Sequence, residues 1–165
     1  MKTYFRPERT AIRFDGPDAN KLLSDVITGT VVTDPKTANW WALLSPQGKI
    51  QAEGLIGWSK GAYFLDISTQ EKKQFLRKMN MFKLRADAKI TDLSETHRVG
   101  WSEQSGNNNS GIEHSDARNI HFSDPKNNLG FRIIAEKAAS KNWIESADDF
   151  SARRINLGIV QLGED

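Results

Sequence analysis

The octapeptide LLSPQGKI, residues 43–50, joins two apolar runs through Ser45-Pro46-Gln47-Gly48. Proline at the second turn position and glycine at the fourth suit a type I turn, because proline presets φ and glycine tolerates the exit geometry. The run from Trp40 to Leu44 reads as a strand entering the turn, and Lys49 to Trp58 reads as the return strand of a hairpin. Turns of this composition are common, so the hairpin fixes local structure and names no chemistry.

Outward from the hairpin, Thr10 to Phe14 reads as a strand. Gly16-Pro17-Asp18 then opens a helix in which Asp18 caps Ala19 to Val26 and Leu22, Leu23 and Val26 are buried. The β-branched run from Ile27 to Thr33 ends it. Ala62 to Ile67 is a further strand, and Ser68-Thr69-Gln70-Glu71 has capping-box spacing for a helix reaching about Asn80, with Phe75, Met79 and Phe82 on its inner face. Ala88 to Leu93, Arg98 to Ser102, Arg118 to Phe122 and Leu129 to Ala135 are strand candidates. Ser146 to Leu157 reads as a helix with Ser146 as cap and Gly158 as a left-handed terminator. Helices interleaved with mostly antiparallel strands predict an α+β fold with ferredoxin-like elements. The expected division is a ferredoxin-like subdomain over about residues 38–135, with 1–37 and 136–165 forming a second, discontinuous one. Ser105 to Ser115 (SGNNNSGIEHS) has the composition of an exposed loop.

The chain has 165 residues, enough for one domain or two small subdomains with a shared core. It is 38% hydrophobic and 27% charged, which predicts an ordered body with a polar surface. There is no cysteine, and hence no disulfide, thiolate nucleophile or thiolate metal site. The opening MKTYFRPERTAIRF lacks a signal-peptide core, and no apolar run approaches membrane-spanning length, so a cytoplasmic location is expected. A net charge of +2 is too small to imply nucleic acid.

The histidines at 97, 114 and 121 lack the helical spacing that brings two imidazoles to one metal, and no metal site is expected. No nucleophile elbow, Walker loop or G-x-G-x-x-G occurs, so neither a hydrolase triad nor a nucleotide loop is supported. Lys72, Lys73, Arg77, Lys78, Lys83, Arg85 and Lys89 give residues 72–89 a basic face, read first as a solvated helix surface. Trp40, Trp41, Trp58, Trp101 and Trp143 are aromatic platforms suited to a planar ligand, though core packing is the commoner use.

Several segments taken in order resemble the YgfZ-type folate-binding proteins, relatives of the glycine cleavage aminomethyltransferase, or T protein. They are Gly16-Pro17-Asp18-Ala19 with Leu22-Leu23 and Ile27-Thr28; LLSPQGKI; and Phe82-Lys83-Leu84-Arg85. Farther on are Asp124-Pro125-Lys126 with Leu129-Gly130-Phe131-Arg132, and Arg154-Ile155-Asn156-Leu157-Gly158-Ile159 with Gly163 and Asp165. The resemblance covers the whole chain but about half of a typical family member. The family's second half carries K-G-C-Y-x-G-Q-E, which is absent here, so the resemblance implies an N-terminal half, either a fragment or a shortened relative.

The resemblance implies tetrahydrofolate as cofactor, its pterin in a slot and its anionic tail toward the mouth. Such a site needs flat walls, acceptors for the pterin NH groups and cations for the tail. Glu53 and Asn156 are the expected pterin contacts, and Lys49 and Arg85 the candidates for tail charge. The acidic pair of the transferases corresponds to Ala52-Glu53 here, and their pterin-gripping acid corresponds to Asn156, which is polar but uncharged. Their Thr-Asn-Asp corresponds to Thr28-Gly29-Thr30. These departures favour a binding or accessory role over aminomethyl transfer, which the resemblance implies to lie in iron-sulfur enzyme assembly or repair, with iron-sulfur enzymes or assembly factors as partners and no catalytic residue assigned. The alternatives are a folate-dependent aminomethyltransferase, and a structural or nucleic-acid-binding fragment.

Overall fold

The computed structural model describes residues 2–35, 38–103, 118–126, 129–146 and 148–162. The expected loop at Ser105 to Ser115, together with Gly163 and Asp165, lies outside the described residues. In chain order the elements are β1 (Tyr4–Phe5), β2 (Arg9–Asp15), α1 (Ala19–Val26), β3 (Ala38–Leu44), β4 (Ile50–Ser59), β5 (Ala62–Ser68) and α2 (Lys72–Lys83). They continue with β6 (Lys89–Asp92), β7 (His97–Ser102), β8 (Asn119–Ser123), β9 (Phe131–Glu136), a 3₁₀ turn at Lys137–Ser140 and α3 (Asp148–Asn156).

The strands form two antiparallel sheets, ordered β3-β4-β5-β2-β6 and β1-β7-β9-β8. Three apolar clusters fill the layers. Ile12, Phe14, Leu65 and Ile67 of the five-stranded sheet pack against Leu22 and Leu23 of α1 and against Phe75 and Met79 of α2. The opposite face of that sheet, through Ala11 and Phe64, packs on Val99, Ile120, Phe122 and Ile134 of the second sheet. Beyond this, Trp101 and Leu129 pack against Phe150 of α3 and Ile159. Helices α1 and α2 thus cover one face of the five-stranded sheet, while α3 packs on Trp101, which shares with Val99 and Arg132 the face of the second sheet that looks at the first, an α+β arrangement. β2 is covered on both faces, so its burial is almost continuous instead of alternating. The strands of residues 1–37 are shared between the sheets: β2 lies between β5 and β6, and β1 pairs with β7.

The hairpin forms as the turn chemistry requires. The Gly48 N–H donates to the Ser45 carbonyl at 2.9 Å, closing the turn between β3 and β4. Gly48 has φ of 79°, and a Cβ built there meets nothing within 4 Å. Its requirement is conformational, not a matter of crowding against the return strand. Gly48→Val should cost about 1 to 2 kcal/mol, the left-handed penalty for a β-branched residue, and Gly48→Asn much less. Denaturant unfolding of both variants tests this; equal losses would place the requirement elsewhere.

Helix ends depart from expectation in three places. Asp18 precedes α1 without a side-chain cap bond; its carboxylate instead accepts the Asp87 N–H at 2.7 Å, tying the helix start to the segment before β6. Ser68 accepts the Gln70 N–H at 3.2 Å, while Glu71, at the start of α2, makes no side-chain cap bond, so the capping box does not form. Phe82 is 53% exposed, unlike Phe75 and Met79, because the last turn of α2 lies outside the core, with Met81 and Leu84 exposed beside it. At α3, the Ser146 hydroxyl accepts the Asp148 N–H at 3.4 Å, and Gly158, with φ of 67°, ends the helix as expected. No helix among the described residues is long and apolar enough to cross a membrane.

Candidate functional site

Arg9 of β2, Asp66 of β5 and Arg132 of β9 meet in the layer between the two sheets. Asp66 Oδ2 accepts from Arg9 Nε at 2.7 Å and also from Arg132 Nη1, while Oδ1 accepts the Leu55 N–H at 2.6 Å. Burial acts to raise the Asp66 carboxyl pKa, but Arg132, Arg9 and the Leu55 N–H outweigh it and hold the carboxyl below its ordinary value. Arg9 Nη2 also donates to the Glu53 carbonyl at 2.9 Å.

A third arginine adjoins this group. Arg6 is fully buried, its guanidinium 3.5 Å from the centroid of the Phe150 ring, and it donates to Gln161 Oε1 at 3.0 Å and to Glu8 Oε1 at 2.6 Å. Burial, aided by the charge of Arg132, lowers its pKa to about 9, which leaves it charged at neutral pH. Arg6 Nη1 and Arg132 Nε have no hydrogen-bond partner among the described residues. The centre is thus richer in cationic donors than in acceptors.

Glu53 reaches this centre through an irregularity in the hairpin. Leu43 pairs with Ala52 but Leu44 with Ile50, leaving Gln51 as an extra residue. Such a bulge resets the alternation of a strand and re-aims the side chains beyond it. Gln51 accepts from Lys78 of α2, and Ala52 is buried at 1% exposure in the helix-side core. Glu53, half-buried, accepts the Leu162 N–H on Oε1 at 2.7 Å. The segment that carries Leu162 is held in turn. The Ile159 N–H bonds the Arg154 carbonyl at 3.0 Å, the Arg154 guanidinium returns to the Ile159 carbonyl at 2.8 Å, and Gln161 binds Arg6. A cavity of about 60 Å³ beside this strap is lined by Glu8, Glu71, Gln161 and Leu162 among others. It is of water size, far below the roughly 300 Å³ at which ligand pockets begin.

Of the residues the sequence singled out, Glu53 alone joins this centre. Asn156 is exposed at the C-terminal end of α3, six residues before the Leu162 that Glu53 holds. Lys49 is exposed at the hairpin, where its backbone bonds Ser45. Arg85 is exposed on an open groove between α1 and the end of α2, with Lys21, Asp25 and Phe82. No hydrogen bond or ion pair joins these four to one another among the described residues. Two of the tryptophans, Trp41 and Trp101, are core residues, and Trp40 donates to Asp124 at 3.0 Å beneath the Lys126 ammonium. On the basic face, Lys72 pairs with Asp92 at 2.8 Å and Lys78 with Gln51, while Lys73, Arg77 and Arg85 are exposed. Sequence reasoning missed Arg6, Arg9, Asp66 and Arg132. The available signal was an aspartate inside the otherwise apolar AYFLDIS strand.

No protein-family model matches the chain. Two relatives do, both named as mitochondrial iron-sulfur cluster assembly factor IBA57 homologs. The one from Pyricularia oryzae is 28% identical over 97 residues, covering 56% of this chain and 25% of that protein. The one from Mycosarcoma maydis is 22% identical over 175 aligned positions, covering 94% of this chain and 42% of that protein. Among solved structures, the glycine cleavage system aminomethyltransferase T from Bartonella henselae superposes with a TM-score of 0.71 over 97% of this chain and 52% of that one. At 9% identity this likeness shows the fold, which is that of the T protein. The chain spans a quarter to about half the length of these proteins. Its fold is thus that of the aminomethyltransferase T, and the relatives it resembles in sequence are named as iron-sulfur cluster assembly factor homologs.

Proposed function

We propose that the chain is a tetrahydrofolate-binding accessory protein of the YgfZ type, acting in the assembly or repair of iron-sulfur enzymes. The observation that carries this reading is the match, over 94% of the chain, to a relative named as an iron-sulfur cluster assembly factor. The T-protein fold supports the folate half of the proposal. Glu53 is the acceptor for the pterin NH groups, and its half-buried position behind the 159–162 strap suits a group that orients a ligand edge. Asn156, exposed on α3, adds an amide that donates and accepts. Lys49 and Arg85 remain candidates for tail charge, although they lie on different elements. The donor set fits one polar edge of a pterin, whereas the 60 Å³ cavity does not enclose one, so this chain supplies one wall of the site. Bound folate would supply one-carbon carriage.

An accessory role is preferred to aminomethyl transfer because Ala52, where the transferases carry an acid, sits in the apolar core at 1% exposure. A carboxylate there would be buried without a partner. The proposed partners are iron-sulfur enzymes or assembly factors. The proposed location is cytoplasmic, and imaging of the tagged protein separates this from the mitochondrial location in the relatives' names.

Anaerobic calorimetric titration of the chain with tetrahydrofolate tests the reading. The expected result is weak, saturable binding, because a single wall leaves part of the pterin in water. Asn156→Leu should weaken it by about 1 to 3 kcal/mol, the cost of leaving a polar partner unpaired. Equal affinities would remove Asn156 from the site, and no binding at millimolar ligand would overturn the folate proposal.

A further inference from the structure

At one end of the inter-sheet layer, two rows of side chains face each other. In the five-stranded sheet Arg13 of β2 is registered against Phe64 of β5 on one side and against Thr91 of β6 on the other. The three are therefore neighbours in one row across adjacent strands. In the four-stranded sheet His97 is registered against Glu136, whose N–H donates to the Arg118 carbonyl at 3.2 Å. Both rows line a single cavity of about 270 Å³, completed by Lys60, Leu93 and Ile120.

The cavity is amphiphilic. Phe64, Leu93 and Ile120 belong to the apolar cluster between the sheets and form its floor. The rim carries Arg13, Lys60 and Arg118 against a single carboxylate in the lining, Glu136, with Asp15 pairing Arg13 from outside it at 3.0 Å. Burial lowers the His97 pKa, which Glu136 only partly opposes, so the imidazole is neutral at pH 7 and adds no charge. Two local features bring polar groups to this cavity. Lys60 has φ of 52° and precedes Gly61 with φ of 77°, in the two-residue turn that joins β4 and β5. That turn favours asparagine or glycine in its first position, so a lysine there carries strain while setting an ammonium beside the cavity. Thr91 Oγ1 is buried with no hydrogen-bond partner among the described residues, a cost that a ligand atom would relieve.

We propose that this slot binds a small organic anion, with a phosphate or carboxylate held by Arg13, Lys60 and Arg118 and a flat apolar body seated on Phe64, Leu93 and Ile120. The Thr91 hydroxyl supplies a further hydrogen bond. The volume suits a single-ring compound. The proposal is independent of the folate reading, since neither Glu53 nor Asn156 lines the slot.

The test is NMR titration of the whole labelled chain with phenyl phosphate, benzoate, inorganic phosphate and benzyl alcohol. Saturable shifts at Thr91, His97 and Ile120 are expected with phenyl phosphate or benzoate, at an affinity about tenfold or more above that for inorganic phosphate or benzyl alcohol. The tighter of the two aryl acids identifies the anion as phosphate or carboxylate. Arg118→Gln should weaken binding about tenfold. Lys60→Gly, which suits the turn geometry and preserves the fold, should weaken it too. Equal affinity for phenyl phosphate and inorganic phosphate would overturn the proposal, as would absence of shifts at these residues or unchanged affinity in a folded Lys60→Gly variant.

Discussion

Asp66→Asn should destabilise the chain by about 3 to 5 kcal/mol, because it leaves Arg9 and Arg132 buried between the sheets without their countercharge. The cost belongs to the broken network, since a buried ion pair gains little over well-packed apolar residues. The pH dependence follows from the same geometry. In the fold the carboxyl pKa lies below the ordinary 3.8, so the folded chain binds fewer protons than the unfolded one as the pH drops toward that value. This stabilisation is complete above the unfolded value and is lost as pH falls through the folded one. Denaturant unfolding at pH 7 and at pH 3 should therefore show a smaller gap between wild type and Asp66→Asn in acid. A cost below about 1 kcal/mol at pH 7 would show that the arginines find other partners.

Trp101→Ala should cost a similar amount, about 3 to 5 kcal/mol, by removing a large core side chain. Trp101 is 2% exposed, its indole N–H donates to the Leu129 carbonyl at 2.7 Å, and its ring lies 5.4 Å from Phe150 and 5.6 Å from Tyr4. Phe150 in turn carries the Arg6 guanidinium and lies in the first turn of the helix whose trailing segment holds Glu53. The variant should therefore loosen the 159–162 strap as well as the core, raising hydrogen exchange at the Leu162 amide more than at Leu55. Trp101→Phe should keep much of the packing and lose about 1 to 3 kcal/mol from the unpaired Leu129 carbonyl. Unchanged relative protection of Leu162 in Trp101→Ala would show that the strap does not depend on this packing.

Local structure was legible because its causes are local. Pro46 and Gly48 specify the turn, Gly158 ends α3, and each strand candidate from Thr10–Phe14 to Leu129–Ala135 falls on or beside an observed strand. Pairing was less so. β2 sits between β5 and β6, and β1 joins β7 across about ninety intervening residues, contacts that no local pattern encodes. Phe82 shares helical spacing with Phe75 and Met79, but periodicity does not reveal where a helix outruns the sheet beneath it.

The same distinction explains the site. A charged residue in a strand reads as the solvent side of a half-buried sheet, which is how Arg9, Asp66 and Arg132 look in sequence. A second sheet covers that face, so the three must pair with one another. Glu53 was singled out through family resemblance as an expected pterin contact, whereas its orientation depends on the bulge at Gln51, invisible in composition. Asn156, Lys49 and Arg85 were matched to motif positions and lie exposed on separate elements, a placement that motif order alone does not reveal.

The most direct measurement is amide NMR mapping of tetrahydrofolate, added anaerobically to the whole chain. Saturable shifts clustered at Glu53, Leu55, Asn156 and Leu162 are predicted, weakened in Glu53→Gln and absent from Thr91, His97 and Ile120. Shifts confined to the second group, or a Glu53→Gln variant that binds as tightly as wild type, would contradict the assignment of Glu53 to the folate wall.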